Sequence, residues 1–468
     1  MAANSKKAPS PIQPRFEFRW ENFRSFADSG WIEVRPLTVL IGPNNSGKTS
    51  LLLPLLLMKQ TLDSRDPAVA LKTMGPLVDV GTFRDLVFRH KADESVSFNL
   101  RFRYPKDSGP KKEIKPVGAY APGRASFEFT RGAEPTKIDL RRLEIHDLYD
   151  RLYLLRTLRR GGNYGLQFVE DLAGKFGKAV RDSKPEHFFF PSVNLLFQFI
   201  REEQRKKRRG VSRKKGLKIP ENVRHYFDVT GVTQFRISEL LSQLSYVGPL
   251  RQHPKRFYEI SEELPESVGL RGEDAPQILF LKRDAVFLRD VRRWLRTFQL
   301  ADSIRCESLH RGIFAVRIWE RKKASEVDFA DTGFGLSQLL PLIVQGFHAK
   351  AHSIIFMEQP EIHLNPKMQC TLANLFAAIA GADKTVIVET HSEHLVLRLR
   401  SLIAEGELKP QDVALYFVEK QKEESSVRRI PIQEDGHIEP QEWPKRFFED
   451  SIGEALRLAR SQPSQKTK

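Results

Sequence analysis

One eight-residue segment, residues 42–49, constrains the fold of this chain more than any other feature. It reads GPNNSGKT, fits the pattern G-x-x-x-x-G-K-[ST], and lies between the apolar run Leu37–Ile41 and a leucine-rich stretch, Thr49–Thr61. Glycines let several backbone N–H groups of such a loop point at one phosphate cluster, and the N-terminus of the following helix favours negative charge. The segment therefore predicts a phosphate-binding loop that connects a buried strand to a helix in an α/β fold.

The same loop predicts which groups contact a nucleotide. Lys48 would place its ammonium on the β- and γ-phosphates, and the Thr49 hydroxyl would bind Mg²⁺. We therefore expect ATP and Mg²⁺ as cofactors. The nucleotide-binding residues expected from this segment are Gly42, Asn44, Asn45, Ser46, Gly47, Lys48, Thr49 and Ser50.

A second group of candidate residues lies far downstream. The segment Ile354–Glu358 is an apolar run that ends in an acid, and a buried strand of this kind delivers a carboxylate to Mg²⁺. We expect Glu358 to share the metal with Thr49. The segment Thr385–Val388 predicts another buried strand, and His391 follows shortly after it.

Five segments occur in one order: NFRSF (22–26), GPNNSGKT (42–49), DTGFGLSQ (331–338), EQPEIHLNP (358–366) and ETHSEH (389–394). In this order they resemble the RecF/OLD-like branch of ABC-type ATPases, which are relatives of the SMC heads. Within that branch the chain resembles a group of stand-alone bacterial ATPases that share the motif E-Q-P-E-x-H-L and a C-terminal stretch like WPKRFF (443–448). The ATPase motifs cover residues 16 to about 100 and 330 to 420, and the segment VGPLR (247–251) is also similar to that group.

The resemblance implies a role for each matching position. His391 would face the γ-phosphate as the switch histidine, and His363 and Asn365 would form the D-loop at a dimer seam. Arg24 would approach the nucleotide from the first strands. ATP would join two heads into a homodimer or a higher oligomer. The ABC signature loop, which contacts the nucleotide of the other subunit, would contain Gly333, Gly335, Ser337 and Gln338.

One position departs from the family pattern. A second acid usually follows the strand-terminal acid and serves as general base for the attacking water, whereas this chain has Gln359 there. An amide cannot accept the proton, although it can orient water, and Glu361 can substitute if the loop turns it inward. We therefore expect slow turnover by a catalytic set of Glu358, Gln359, Glu361 and His391. The alternatives are an ATP-sensing scaffold without catalysis and, disfavoured by the long interval before the signature loop, a transporter's nucleotide-binding subunit.

OLD-like proteins often carry a Toprim nuclease after the ATPase, and its marks are missing from this sequence. The predicted strand Val413–Val418 leads into Glu419 and Lys420 rather than Glu-Gly, and no Asp-x-Asp pair follows. We therefore expect no nuclease in this chain. The resemblance implies a switch that acts on or near DNA, in bacterial genome maintenance or anti-phage defence, together with a separate, nuclease-like effector protein.

The chain carries a large basic charge, and its composition alone does not determine the role of that charge. The 468 residues include 76 Lys and Arg against 59 Asp and Glu, a formal net charge of +17. This excess attracts nucleic acid, and it is equally consistent with a solubilising surface. The basic run at residues 205–218 is either a phosphate-backbone contact or a solvated linker. We expect a cytoplasmic protein without a membrane segment, since the sequence has two cysteines, no secretory signal and no apolar stretch near the ~20 residues that span a bilayer.

Together the motifs predict an α/β fold, namely an ABC-type ATPase head with a mixed or parallel sheet, split by a mostly helical insertion. Two parts of the insertion have a pattern of their own. Residues 106–134 are rich in Gly, Pro and Lys and predict an exposed excursion, and residues 140–199 have a mostly helical pattern. The expected domains are a tail at 1–15, a head at 16–105 and 304–435, an insertion at 106–303 and an extension at 436–468.

Overall fold

The computed structural model of the protein describes residues 15–103, 122–134, 136–172, 174–190, 200–201, 205, 219–310, 312–320 and 325–443. The chain divides into two compact units. The first takes Met1–Val34, Thr49–Leu244 and Lys420–Ser426, and the second takes Arg35–Lys48, Ser245–Glu419 and Val427–Lys468.

Helices and strands are numbered in chain order. The α-helices are α1 (Lys48–Leu62), α2 (Phe83–Leu86), α3 (Gly174–Asp182), α4 (Glu221–Ser242), α5 (Ala275–Leu281), α6 (Ala285–Thr297), α7 (Phe334–His348), α8 (Pro366–Ala380) and α9 (Glu393–Ala404). The strands are β1 (Arg15–Phe23), β2 (Phe26–Asp28), β3 (Ile32–Glu33), β4 (Leu37–Ile41), β5 (Val96–Arg103), β6 (Pro122–Arg131), β7 (Ile138–Asp147), β8 (Leu152–Leu158), β9 (Tyr164–Phe168), β10 (Leu244–Val247), β11 (Tyr258–Glu259), β12 (Ser303–His310), β13 (Ile313–Glu320), β14 (Ser325–Asp328), β15 (Ile354–Glu358), β16 (Thr385–Thr390), β17 (Val413–Gln421) and β18 (Glu424–Ile430).

A six-stranded sheet carries the predicted motif strands. Its order is β10-β15-β16-β4-β17-β18, and β15, β16, β4 and β17 run parallel to one another. Strands β4 and β15 are buried along their whole length, as expected of apolar strands in a parallel sheet. Further sheets of antiparallel strands accompany it. The predicted α/β fold with parallel and antiparallel strands is therefore confirmed.

Two helices begin directly after motif residues because short polar side chains cap them. Asn365 accepts a hydrogen bond from the Met368 N–H at 3.0 Å at the start of α8, and Ser392 accepts one from the Leu395 N–H at 3.0 Å at the start of α9. Such caps satisfy backbone donors that a helix leaves unpaired. Helices α8 and α9 therefore begin directly after the motif segments of the second unit.

The first unit is built around an eight-stranded sheet with the path β2-β1-β5-β6-β7-β8-β9, in which β3 also pairs with β1. Its core is aromatic. Phe98 is fully buried, and its ring lies 5.4 Å from Trp20, 5.5 Å from Phe23 and 5.4 Å from Phe129, measured between ring centroids. Aromatic pairs in these tilted geometries add to the free energy of burial.

The prediction of a mostly helical pattern at residues 140–199 is wrong for residues 140–168, which form β7, β8 and β9. Within β7, a β-bulge explains the error. Phe129 pairs with Leu140 and Glu128 with Arg142, so Arg141 is an extra residue in the strand. The next buried position is then Leu143. Buried residues three apart imitate a helical period although the backbone is extended.

The exposed excursion predicted for residues 106–134 is also wrong in part. Residues 122–131 form β6, in which Phe127 and Phe129 are fully buried. The Gly, Pro and Lys residues that suggested a loop belong mainly to residues 106–121, which lie outside the described residues. The basic run is likewise described only at Arg205, so its predicted role is not tested. In the parts of the chain that the structure covers, no helix is long and apolar enough to cross a membrane.

The aromatic core yields a stability prediction. We expect Phe98→Ala to lower the free energy of unfolding of the first unit by about 3–5 kcal/mol, because it leaves a cavity among buried rings. The matched control is Phe235→Ala in α4, whose side chain is 63% exposed and which should change stability by less than about 1 kcal/mol. Urea unfolding of both variants measures the difference, and equal midpoints would contradict the packing described.

Candidate functional site

The phosphate loop is closed tightly against the neighbouring strand β17. Gly42 has a φ of +154°, and a Cβ atom there would lie 2.1 Å from the carbonyl oxygen of Val418. Asn45 has a φ of +59°, a left-handed conformation that Asn adopts more readily than most residues. The Ser46 hydroxyl is buried and has no hydrogen-bond partner among the described residues. The loop therefore needs glycine at its first position and contains an unsatisfied buried polar group.

Lys48 is the buried cation of the site. Its side chain is 3% exposed, and Nζ donates to the carbonyl oxygens of Gly42 and Pro43 at 3.0 and 2.8 Å. The same Nζ lies 4.0 Å from Oε1 of Glu389. Burial lowers the pKa of the ammonium, while nearby carboxylates, first that of Glu389, oppose this lowering. Because a buried charge is costly unless it is paired, these contacts keep Lys48 inside the loop.

Two glutamates end neighbouring parallel strands at the same level. Glu358 of β15 lies beside Glu389 of β16 in the strand register, and both side chains are buried. Ligands of α/β sheets bind at the carboxyl ends of the strands, and carboxylate oxygens suit Mg²⁺. Sequence reasoning selected Glu358 and missed Glu389. The available signal was that both glutamates end an apolar run in the same way.

The segment after β15 turns a further acid inward. Gln359 has a φ of +43°, and its N–H donates to the carbonyl oxygen of Glu389 at 2.8 Å. Glu361 is 9% exposed, and its Oε1 accepts a hydrogen bond from the His391 N–H at 2.6 Å. Burial raises the pKa of the Glu361 carboxyl, and the His391 N–H offsets part of this effect. The inward orientation that a substitute base requires is therefore present.

His391 joins the strand ends to the phosphate loop. Its ring makes a hydrogen bond with the backbone of Gly42, and burial, followed by the charge of Lys48, lowers its pKa to about 4. The imidazole is therefore neutral at physiological pH, with one nitrogen able to donate and the other able to accept.

Tyr246, which precedes the VGPLR segment, and Arg251, its last residue, contact the end of β15 that carries Glu358. The Tyr246 hydroxyl donates to the Glu358 carboxylate, and Arg251 donates to the carbonyl oxygens of Glu358 and Gln359 at 3.0 and 3.1 Å. Sequence reasoning noted VGPLR as similar to the ATPase group but gave it no role, since nothing in the sequence places it beside β15.

The predicted signature segment lies at the start of α7. Gly333 and Phe334 are exposed and Gly335 is half-buried, whereas Ser337 and Gln338 are buried. The Ser337 hydroxyl donates to the carbonyl oxygen of Phe334 at 2.8 Å. If the Ser337 hydroxyl donated to a nucleotide on another subunit, this bond would have to break; that contact stays a prediction.

The predicted D-loop residues have simpler surroundings. His363 is exposed with a φ of +61°, and its ring centroid lies 5.9 Å from that of Phe334. Asn365 is the cap of α8, which explains its presence without a dimer. Their role at a dimer seam stays a prediction.

This geometry does not decide which of the expected residues contact a nucleotide. Asn44 and Asn45 are exposed on the loop. Arg24, Thr49 and Ser50 belong to the first unit. Contact with a nucleotide stays a prediction for every expected residue, namely Arg24, Gly42, Asn44, Asn45, Ser46, Gly47, Lys48, Thr49 and Ser50.

The residues present fit a magnesium nucleotide. The loop contains a buried ammonium, on Lys48, and a buried hydroxyl that lacks a partner among the described residues, on Ser46. Glu358 and Glu389 add hard oxygen donors at adjacent strand ends, the kind of donor that Mg²⁺ prefers. A bound nucleotide would supply the phosphates that Lys48 is placed to hold.

Comparison with protein families gives two matches. Residues 37–398 match the family described as "AAA domain, putative AbiEii toxin, Type IV TA system", and residues 408–458 match a family described as a protein of unknown function, DUF3696. No curated protein matches the chain in sequence.

Solved structures of SMC heads are similar to the chain at low TM-scores. An SMC head bound to the C-terminal winged-helix domain of ScpA has 10% identity and a TM-score of 0.42, covering 89% of this chain and 97% of that one. An SMC head with an extended coiled coil, bound to the C-terminal domain of ScpA derived from Pyrococcus furiosus, has 9% identity and a TM-score of 0.39, covering 96% and 100%. The SMC head domain from Thermotoga maritima has 11% identity and a TM-score of 0.37, covering 90% and 99%.

The loop geometry predicts the effect of one methyl group. We expect Gly42→Ala to weaken ATP binding by about 10- to 100-fold, because overpacking a tight site costs about 1–3 kcal/mol. The matched control is Gly406→Ala, at a φ of +75° with no atom within 4 Å of the added Cβ, which should bind ATP normally. Titration with a fluorescent ATP analogue measures both affinities, and tight binding by Gly42→Ala would contradict the loop geometry.

Proposed function

We propose that this chain, which belongs to the AAA-domain family matched by its residues 37–398, is an ATP-binding switch. It would hydrolyse ATP slowly. In finer detail, we place it in the RecF/OLD-like branch of ABC-type ATPases. ATP would close a dimer of two heads, and hydrolysis would reopen it.

One observation supports this proposal most strongly. The buried Lys48 of the phosphate loop interacts electrostatically with Glu389, Glu361 and Glu358, of which two end neighbouring strands and Glu361 lies in the turn after β15. A phosphate-binding cation beside carboxylates suited to Mg²⁺ is the chemistry that ATP binding requires.

Turnover would depend on Glu361. Its buried carboxyl has a raised pKa, which makes it a stronger acceptor for the proton of an attacking water. Gln359 stands where the family has an acid, and its amide would orient water without accepting the proton. We therefore propose Glu361 as the general base, with neutral His391 beside it as a hydrogen-bonding group.

Several features support an oligomer. The signature-type segment exposes Gly333 and Phe334, and the exposed ring of His363 lies next to Phe334. In a head dimer, this surface would meet the nucleotide bound by the other subunit. Such a dimer couples ATP occupancy to a large conformational change.

We also propose that the switch acts near DNA in the cytoplasm and works with a separate effector protein. The formal net charge of +17 supports contact with a polyanion, and the family description names a toxin of a type IV TA system, which supports a setting in bacterial defence.

A second candidate function is an ATP-sensing scaffold that does not hydrolyse ATP. Gln359 favours it, because an amide at the position of the usual base removes proton transfer. The scaffold would bind ATP through the same loop and recruit an effector.

Turnover assays separate the two functions. We expect Lys48→Ala to lose ATP binding. We expect Glu361→Gln to bind ATP as the wild type does but to lower turnover by about 100-fold or more, because general base catalysis contributes roughly 10²–10⁴-fold.

The matched control for Glu361→Gln is Glu407→Gln, a substitution at a surface glutamate whose amide should leave turnover unchanged. Phosphate release at saturating ATP measures all of these variants. ATP binding by the wild type without any turnover would establish the scaffold, and normal turnover in Glu361→Gln would remove Glu361 as the base.

DNA binding should depend on both salt and ATP. We expect a fluorescent duplex to bind more tightly with ATP than without it, and the affinity to fall by about tenfold or more between roughly 50 and 200 mM salt, since phosphate contacts release counterions. Lys48→Ala is the control that should lose only the ATP effect. Fluorescence anisotropy measures the affinities, and no binding at the lower salt concentration would exclude direct DNA contact.

A further inference from the structure

The acid at the end of β15 is held from two directions by residues to which the proposed function gives no role. We propose that Tyr246 and Arg251 are positioning residues, in which Tyr246 fixes the carboxylate of Glu358 and Arg251 fixes the backbone that carries it. The acid is thereby oriented for Mg²⁺ before a metal arrives. This inference rests on the proposed function, because it concerns the metal-binding acid of that site.

Tyr246 is held rigidly where it meets the acid. It belongs to β10, the neighbour of β15 in the sheet, and its ring stacks on Phe356 with 4.8 Å between centroids and 13° between planes. Its hydroxyl donates to Oε2 of Glu358. The ring and the hydroxyl together therefore hold Tyr246 against the acid.

The strand that carries Tyr246 is itself fixed. Ser245 Oγ donates to the carbonyl oxygen of Ile354 at 3.4 Å, and Gln345 Nε2 donates to Ser245 Oγ at 3.0 Å. These bonds tie β10 both to the beginning of β15 and to α7. Ser245 thus anchors the beginning of β15, and Tyr246, the next residue in sequence, contacts Glu358 at the end of that strand.

The hydroxyl of Tyr246 needs an explanation that packing does not give. Phenylalanine would fill the same space and stack on Phe356 in the same way. What the hydroxyl adds is one hydrogen bond to one oxygen of Glu358. A carboxylate has two oxygens that accept hydrogen bonds or bind metal. With Oε2 held by the phenol, the orientation of Oε1 is fixed, and groups that orient a metal ligand in this way tune its affinity for the metal.

Arg251 acts on the backbone of the same residue. Its side chain is 7% exposed, and its two terminal nitrogens donate to the carbonyl oxygens of Glu358 and Gln359. Gln359 has a left-handed φ of +43°, which a non-glycine residue keeps only when its surroundings hold it. A lysine offers no planar fork to bind both carbonyl groups.

The test of Tyr246 compares ATP affinity with and without Mg²⁺. We expect Tyr246→Phe to bind a fluorescent ATP analogue in EDTA within about twofold of the wild type. The tightening produced by Mg²⁺ should be about tenfold smaller than in the wild type, because losing a partner of a metal ligand typically costs about 10–100-fold in metal affinity. The Mg²⁺ concentration for half-maximal effect should rise accordingly.

The matched control is Tyr258→Phe. Tyr258 is also stacked on a phenylalanine, Phe314, with 5.4 Å between ring centroids, and its hydroxyl accepts from the Lys255 N–H rather than binding an acid. Its Mg²⁺ dependence should equal that of the wild type. An unchanged Mg²⁺ dependence in Tyr246→Phe overturns the inference alone, whereas a wild type that binds no ATP overturns the proposed function.

Arg251→Lys tests the second half of the inference. The variant keeps the positive charge but loses the planar guanidinium that binds both carbonyl groups. We therefore expect Mg²⁺ to increase its ATP affinity less than in the wild type, while its ATP affinity in EDTA is retained. Electron paramagnetic resonance of Mn²⁺ added with ADP provides a readout that is independent of turnover. Wild-type Mn²⁺ affinity in a folded Arg251→Lys variant overturns the role given to Arg251.

Discussion

The candidate site depends on a buried ammonium that must be compensated. Lys48 is nearly inaccessible and donates to two carbonyl oxygens of its own loop, and its nearest acid is Glu389. Removing a charge from water costs several kcal/mol unless opposite charges and hydrogen bonds replace the solvent. The parallel order of β15, β16 and β4 supplies those charges at adjacent strand ends. The strand order of the second unit therefore supplies the carboxylates that stabilise the buried ammonium of the loop.

The sequence predicted the parts of the fold that have simple local signals. The strands at residues 37–41 and 354–358 and the helix after the phosphate loop lie where expected, because continuous apolar runs and the glycine-rich loop mark them locally. The prediction for residues 138–147 was wrong for a physical reason. A β-bulge at Arg141 breaks the two-residue alternation of buried and exposed side chains. Pairing across the sheet creates such irregularities, and a single sequence does not reveal them.

The candidate site was predicted unevenly for a related reason. Glu358 and Lys48 are marked by motifs, so their positions followed from the sequence. Glu389 becomes significant only through its register beside Glu358, and Tyr246 only through the neighbouring position of β10 in the sheet. Long-range pairing decides both, and no local pattern records it. The sequence did not predict whether Glu361 turns inward, because this orientation depends on the left-handed backbone conformation of Gln359.

The position of β4 in the sheet has a consequence for biosynthesis. Both of its partners, β16 and β17, come from residues 385–421, which leave the ribosome long after residues 37–41. At ordinary rates of about 5–20 residues per second, the nascent phosphate loop waits on the order of tens of seconds without the strands that support it. During that interval the apolar strand lacks its partners, and its exposed hydrophobic surface favours aggregation. The support that the sheet gives the phosphate loop is therefore complete only after residues 385–421 have been synthesised.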